Sequence, residues 1–165
     1  MSGFRPCPVV APRLHAGYVR QDSAGLDVLS RDESLSLLAS VPVGRIAFTI
    51  RALPAIQPVN FLVDGDSVVF RTGVTSSLAA AARESIVAFE ADAFDEASAT
   101  GWSVTIVGRC RWVEDPDELA RLAELPLQPW APDNRDHYVR IDADLVTGRR
   151  LRARTREVTP VRAIP

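Results

Sequence analysis

Residues 56–72 have the sequence IQPVNFLVDGDSVVFRT. Two apolar runs, 56–63 and 67–72, flank Asp64-Gly65-Asp66, a combination that is typical of two strands joined by a tight hairpin turn. Hairpin signals of this kind outnumber strand–helix–strand units along the chain. A parallel α/β fold is therefore disfavoured, and short strands with few helices favour a mainly β, barrel-like domain.

The longest predicted strand runs from Gly101 to Val113. Its even positions are apolar, apart from Gly108, and its odd positions include polar residues, so that one face is expected to be buried. Cys110 lies on the apolar face, which makes it a small buried hydrophobe rather than a nucleophile. The other strand candidates are Val43 to Ile50, Ile86 to Ala93 and His137 to Ile141, with Leu145 to Leu151 as a continuation of the last, while Leu53-Pro54-Ala55 is predicted to form a turn.

Three short helices are predicted between the strands. Ser30 and Glu33 have the spacing of a capping box, so a helix should begin there and run to about residue 40, with Leu35, Leu38 and Ala39 facing inward. A second helix is expected over 78–84. Asp115 and Pro116 have the residue types preferred at the cap and first position of a third helix.

Composition narrows the function classes. A chain of 165 residues suits one domain, and a net charge of −2 argues against general nucleic-acid binding. No apolar run is long enough to span a bilayer and no secretion signal is visible, so we expect a cytoplasmic protein. Cys7 and Cys110 lie far apart, and His15 and His137 are isolated, so neither a disulfide framework nor a metal site is expected.

The segment after the hairpin combines groups that suit a phosphate. Arg71, a permanent cation, precedes Thr72, Ser76 and Ser77, and an alanine-rich helix follows. A helix start has unpaired N–H groups, and an arginine fork can hold two phosphate oxygens. Serine before a helix is also the commonest cap, so both interpretations remain open at this point. The nucleotide-triphosphate loop is excluded, because the chain contains no lysine.

Five motifs in sequence order resemble the pyridoxamine 5′-phosphate oxidase-like family of FMN-binding split barrels, over about residues 27–151. The last of them is similar to a signature of an actinobacterial-type branch. The motifs are Val43-Gly44-Arg45-Ile46-Ala47, Pro58-Val59-Asn60-Phe61, Phe70-Arg71-Thr72, Val87-Ala88-Phe89-Glu90-Ala91-Asp92, and Gly101-Trp102-Ser103-Val104 with Gly108-Arg109.

The resemblance implies a six-stranded antiparallel split β-barrel that forms a homodimer, with two FMN sites at the subunit interface. The flavin-binding domain that it implies covers residues 26–151. Prolines and glycines in residues 1–25 indicate an irregular N-terminal arm, and residues 152–165 are predicted to form a C-terminal tail. No catalytic residue follows from the resemblance. The site residues it implies are Arg71, Thr72, Ser76 and Ser77 for the phosphate, Pro58, Val59 and Asn60 for the flavin ring, and Trp102 and Ser103 from the partner subunit.

The phosphate segment departs from the family at one position. Relatives commonly have lysine where Ser77 stands. A lost charged hydrogen bond is worth about 1.5–3 kcal/mol, roughly ten- to hundredfold in affinity. Either the cofactor binds more weakly than in relatives, or Arg71 acts with another arginine.

Several residues have two interpretations. Trp102 is expected in the core more often than against a cofactor, and Asn60 is equally compatible with a site or a satisfied core amide. Trp130 is expected to cover either the site or the end of the barrel. Glu90 and Asp92 are expected to pair with arginine. The C-terminal arginine run is either an anion-binding patch or a solvated strand edge. It consists of Arg149, Arg150, Arg152, Arg154 and Arg156.

Three functions follow from these residues. The first is an FMN-dependent oxidoreductase acting on an unknown small molecule. The second is a reductase of the same fold that uses a deazaflavin coenzyme, whose longer anionic tail would suit the arginine run. The third is a non-catalytic protein that holds flavin or haem for storage or sensing.

Overall fold

The computed structural model describes residues 20–73, 77–81, 85–128, 130 and 136–153. Most of the predicted arm and tail therefore lies outside the described residues. The helices are α1 (Arg31–Leu38), α2 (Ser77–Ala81) and α3 (Pro116–Ala123). The strands are β1 (Asp27–Leu29), β2 (Val43–Ile50), β3 (Leu53–Val63), β4 (Ser67–Thr72), β5 (Ser85–Asp95), β6 (Thr100–Trp112), β7 (His137–Asp142) and β8 (Leu145–Leu151).

Six of the strands close into an antiparallel barrel. They follow the order β6-β5-β2-β3-β4-β7, and β7 pairs back onto β6. β8 adds to the first half of β6, and β1 adds to β8. The mainly β, six-stranded barrel that the sequence and the resemblance predict is confirmed.

The hairpin over 56–72 forms as predicted, with Gly65 at φ +59° in its turn. The turn before it is placed differently. Leu53-Pro54-Ala55 belongs to β3, and the chain reverses at Arg51 and Ala52, both at positive φ. Proline is tolerated there because β3, within the described residues, pairs with β4 only from Phe61 onward and so has an open edge.

Strand β6 changes partner along its length. Residues 101–107 pair with β8, and residues 110–112 pair with β7. Leu145–Leu151 is thus a separate strand rather than a continuation of β7, because the chain turns at Ala143 and Asp144.

Cys110 is fully buried, and burial raises the pKa of its thiol to about 12, which confirms the prediction of a buried hydrophobe.

The helices are held by their predicted caps. Ser30 and Glu33 form the capping box of α1, and the Asp115 side chain accepts from the Glu118 N–H at the start of α3. Leu38 of α1 enters the barrel core, whereas Ala39, predicted to face inward, is the exposed residue that ends the helix. A second apolar cluster lies outside the barrel wall beneath α3, formed by Val69, Val113, Leu122, Leu127 and Tyr138.

Ion pairs fix α3 to the hairpin turn. The buried guanidinium of Arg140 donates to Asp64 at 2.5 Å and to Glu118 at 2.6 Å. Arg121 adds two bonds to Asp64 at 2.9 and 2.8 Å. The Arg121 and Arg140 contacts hold the pKa of the Asp64 carboxyl at about 2, below its usual 3.8.

Asp64 is expected to make stability depend on pH in the acid range. Its folded pKa lies below the unfolded value, so its contribution is complete above about pH 4 and is lost as pH falls toward 2. Asp64→Asn should lower the free energy of unfolding by about 2 kcal/mol at pH 7. Urea titrations from pH 7 to 2.5 should show this difference shrinking. Asp66→Asn, at an exposed carboxylate, is the control, and a pH-independent difference would contradict the role of Asp64.

Candidate functional site

The outward side chains of neighbouring strands line up in rows across the barrel wall. The register joins Pro58 of β3, Arg45 of β2, Glu90 of β5 and Thr105 of β6. Two residues along, Asn60 pairs with Val43, and Asp92 pairs with Ser103. The outward members of the predicted flavin site therefore lie on one continuous surface.

Arg71 lies on the outer surface of β4. Its guanidinium carbon is 5.2 Å from the centroid of the Tyr138 ring, which lies opposite it on β7. Its Nη2 is 3.7 Å from the exposed carboxylate of Asp136, a long surface ion pair of small energetic weight. The aromatic contact orients the guanidinium plane at the surface, where it can bind an anion.

Asn60 and Arg71 occupy neighbouring strands. Phe61 pairs with Phe70, so Asn60 and Arg71 are the next positions along each strand and share the outer side. Pro58 is exposed two residues before Asn60. The structure thus brings together one residue predicted for the phosphate and two predicted for the ring.

Other predicted site residues point elsewhere. Val59 is in the barrel core, and the Thr72 side chain is buried. Trp102 is half-buried and packs against the core, as its alternative interpretation predicts. Ser77 is the first residue of α2, and Ser76 lies outside the described residues.

Ser103 is distant from Arg71 within one chain. It lies on β6, and Arg71 lies on β4, four strand spacings away through β3, β2 and β5. The shorter route through β7 reaches β6 at residues 110–112, at the opposite end of the strand from Ser103. At about 4.8 Å per strand, the two residues are roughly 19 Å apart around the wall. One chain therefore does not bring them to the same end of a small molecule.

The acidic pair on β5 is structural. Arg45 Nη1 lies 2.6 Å from Asp92 and 3.3 Å from Glu90, which confirms the expected pairing with arginine. Burial, and then repulsion from Asp92, raises the pKa of Glu90. The neighbouring cation is already engaged by both carboxylates.

The described arginines of the C-terminal run also have acidic partners. Arg149 lies 3.2 Å from Asp22, and Arg150 lies 3.8 Å from Glu33. Arg152 contacts the buried carboxylate of Asp27. These contacts tie β8 to the segment around β1, while Arg154 and Arg156 lie outside the described residues.

Asn60 also marks the edge of a cavity. Its Oδ1 accepts a hydrogen bond from the backbone N–H of Trp130 at 3.0 Å. The cavity beside it has a volume of about 320 Å³ and lies between the end of α1, β3 and the chain after α3. Trp130 therefore borders this cavity, which settles its position beside Asn60.

Sequence reasoning missed Tyr138. Its contact with Arg71 depends on the pairing of β4 with β7, two strands far apart in the chain. The only sequence signal was the alternation around residue 138, which puts Tyr138 and Arg140 on one face. His137, the other aromatic of this strand, has its ring 4.7 Å from Trp112.

The described residues offer few other sites. No group of three or more His, Cys, Asp or Glu side chains among them could hold a metal ion. No helix in the described part of the chain is long and apolar enough to cross a membrane.

Comparison with known proteins agrees with the motifs. The family model described as pyridoxamine 5′-phosphate oxidase matches residues 30–150. The chain belongs to the pyridoxamine 5′-phosphate oxidase-like family. The match spans Pro58, Asn60, Arg71 and Ser103, so these candidate site residues lie within the matched range.

Similar proteins occur in Mycobacterium and Corynebacterium species. The uncharacterized protein Rv0080 of Mycobacterium tuberculosis is 45% identical over 133 residues, which are 78% of this chain and 87% of that protein. An FAD binding protein from Mycobacterium smegmatis is 39% identical, with a TM-score of 0.66 over 76% of this chain and 97% of its own. A conserved protein of unknown function from Corynebacterium diphtheriae is 38% identical, with a TM-score of 0.64 over 75% and 96%.

Proposed function

We propose that the protein binds a flavin nucleotide with the phosphate at Arg71 and uses it in the oxidoreduction of a small molecule, in the cytoplasm. The observation that carries the proposal is the placement of Arg71. Its guanidinium lies on the barrel surface over Tyr138, beside the strand that bears Pro58 and Asn60. The family and the FAD binding relative support the same cofactor class.

The residues present suit a flavin phosphate and ring. Arg71 supplies a planar, permanently charged donor set for phosphate oxygens. Ser76 and Ser77 follow it in the chain and add hydroxyl groups to the segment, whereas the Thr72 side chain is buried. Pro58 and Asn60 are spaced along β3, so the ring would extend across the wall from the phosphate.

FMN is the cofactor predicted from the sequence, and the relative at 39% identity favours FAD as a second candidate. Both contain the riboflavin 5′-phosphate unit, so the role of Arg71 is the same for either. A deazaflavin coenzyme has weaker support, because its proposed anion patch is engaged in ion pairs. Arg149 pairs with Asp22, and Arg150 pairs with Glu33.

The bound flavin would supply hydride or electron transfer at its ring. The chain's own residues bind and orient it, and Asn60 is placed to bond its polar edge. We assign no acid, base or nucleophile. Burial raises the pKa of Cys110 to about 12, so its thiol is protonated and enclosed in the barrel.

Flavin reconstitution tests the proposal. The purified protein should be yellow, or should take up FMN or FAD in a titration followed by absorbance and flavin fluorescence. Colourless protein that binds neither would refute the proposal. Mass spectrometry of the released cofactor distinguishes FMN, FAD and a deazaflavin. Bound flavin without NAD(P)H-driven turnover would indicate the non-catalytic function.

We propose a homodimer in which Ser103 of a second copy completes each site, while Trp102 of that copy packs against its own core. The roughly 19 Å between Arg71 and Ser103 of one chain supports a contribution from a second chain. A row of apolar residues on the same outer wall supports a contact there. This apolar row runs through Ile56, Ala47, Ala88, Val107 and Leu145, paired in that order across five strands.

The apolar row is open to solvent in the single chain. Ile56 is 71% exposed, and Leu145 at the other end is 59% exposed. Ile86, which lies on β5 two residues before Ala88, is 64% exposed. Large apolar side chains grouped on one sheet face are typical of a surface that is covered by a partner. A second copy related by a two-fold axis would meet this face with the same face.

Ile56→Arg is expected to convert the dimer to monomers. The substitution puts a charge at one end of the apolar row and, by symmetry, a second charge in the same contact. Sedimentation equilibrium should give the mass of one 18.0 kDa chain where the wild type gives twice that mass. Ala120→Arg, on the exposed side of α3, is the matched control and should remain dimeric. A wild-type protein that is monomeric throughout would refute the proposed dimer.

A further inference from the structure

The cavity beside Asn60 has the features of a small-molecule site. Its volume of about 320 Å³ lies in the lower part of the range of ligand pockets, about 300–1,000 Å³. Most of its wall is apolar, and two amide residues, Asn60 and Gln128, line it. The residues that define it are Leu38, Val41, Asn60, Leu62, Leu127 and Trp130.

The charge of the wall restricts what can enter. None of the described residues that line the cavity is ionisable. The last turn of α1 also reaches it through Leu38, Ala39 and Ser40. A helix C-terminus carries partial negative charge and disfavours anions. The cavity therefore differs from the Arg71 surface, which favours an anion.

Asn60 gives the cavity a directed polar group. Its Oδ1 is engaged by the Trp130 N–H, which fixes the orientation of the amide. In the described part of the chain, no acceptor bonds the two donors on Nδ2. A half-buried amide gains free energy when its donors are satisfied. An occupant with one acceptor oxygen or nitrogen would satisfy one of them, which leaves the other for the polar edge of a flavin.

We infer that this cavity binds the substrate, and that the substrate is an uncharged, largely apolar ring compound with one hydrogen-bond acceptor directed at Asn60. The identification as substrate rests on the proposed function. The flavin ring would lie along Pro58 and Asn60 on the outer wall, so a molecule in the cavity would lie beside it. A phosphorylated or carboxylated compound is disfavoured, because the described lining residues offer it no cation.

Three probes of similar shape test the chemistry. 2-Acetylnaphthalene has the ring and a carbonyl acceptor, 2-ethylnaphthalene lacks the acceptor, and 2-naphthoate has a carboxylate in its place. Calorimetric titration of the purified protein should rank them in that order, with each step at least fivefold. Amide chemical-shift changes should be concentrated at 38–42, 60–63 and 126–130. Equal affinity for 2-naphthoate and 2-acetylnaphthalene, or shifts centred elsewhere, would overturn the inference.

Variants locate the binding. Asn60→Leu should remove the preference for 2-acetylnaphthalene over 2-ethylnaphthalene and leave binding of the latter within twofold. Ala39→Phe, at an exposed position that lines the cavity, should weaken both at least tenfold by filling the space. Ala120→Phe, at an exposed position on α3, is the matched control and should bind like the wild type. Unchanged affinity in Ala39→Phe would overturn the inference.

Flavin measurements separate this inference from the proposed function. 2-Acetylnaphthalene that binds a protein unable to take up FMN or FAD would refute the proposed function and leave the cavity site intact. With flavin bound, 2-acetylnaphthalene should still bind and perturb the flavin absorption spectrum. Mutual exclusion of flavin and 2-acetylnaphthalene would assign the cavity to the cofactor and overturn the inference.

Discussion

Arg71→Ala is expected to weaken FMN binding at least tenfold while the barrel remains folded. The guanidinium is the charged group that the structure places on the outer wall beside Asn60, and a charged hydrogen bond is worth about 1.5–3 kcal/mol. That range corresponds to roughly ten- to hundredfold in the dissociation constant. Because the resemblance implies a lysine at the position of Ser77, we expect the loss toward the larger end. Fluorescence titration of the flavin-free protein measures it.

Riboflavin provides the control for this prediction. It has the same ring as FMN and lacks the phosphate, so Arg71→Ala should leave riboflavin affinity within about twofold. Arg71→Lys should recover part of the FMN affinity, because the charge returns without the planar fork. Tyr138→Leu, which removes the ring under the guanidinium, should have a smaller effect of the same sign. Equal wild-type affinities for FMN and riboflavin would contradict a phosphate role for Arg71.

Much of the fold could be predicted because it depends on local patterns. The Ser67–Thr72 strand, the Asp64–Asp66 turn and the buried face of β6 follow from period-2 alternation and turn chemistry. The helix caps at Ser30 and Asp115 follow from residue type and spacing. The turn at Arg51 and Ala52 was missed because neither is a typical turn residue, and Pro54 is a stronger signal two residues later.

The site could be predicted only as separate pieces. Arg71, Pro58 and Asn60 were recognised by motif, and the register of β3 with β4 brings them together. The partners Tyr138 and Trp130 depend on contacts across more than sixty positions of sequence, which no local pattern encodes. The position of β8 against β6 could not be predicted for the same reason. It depends on the close approach of the Asp142 backbone to β6, which Gly108 permits because it has no side chain.

Gly108→Ala is expected to have the largest effect on stability of the substitutions considered. A Cβ at position 108 would lie well inside van der Waals distance of the Asp142 carbonyl, which is backbone and cannot rotate away. Overpacking of this kind costs 1–3 kcal/mol, occasionally more, and we expect about 3 kcal/mol. Urea unfolding followed by tryptophan fluorescence measures the change, with an unaltered m-value indicating a two-state comparison.

Gly25→Ala is the matched control for this substitution. Gly25 has a positive φ of +77° and open space around its Cβ position, so alanine there has a conformational cost of only about 1 kcal/mol. The larger loss of unfolding free energy at position 108 therefore measures the close approach of β6 to the Asp142 carbonyl. The turn that crosses there is anchored, since Ala143 N–H bonds Asp66 at 3.0 Å and Arg109 N–H bonds Asp144 at 3.3 Å. A Gly108→Ala protein no less stable than Gly25→Ala would contradict the crossing that sets β8 against the Ser103 half of β6.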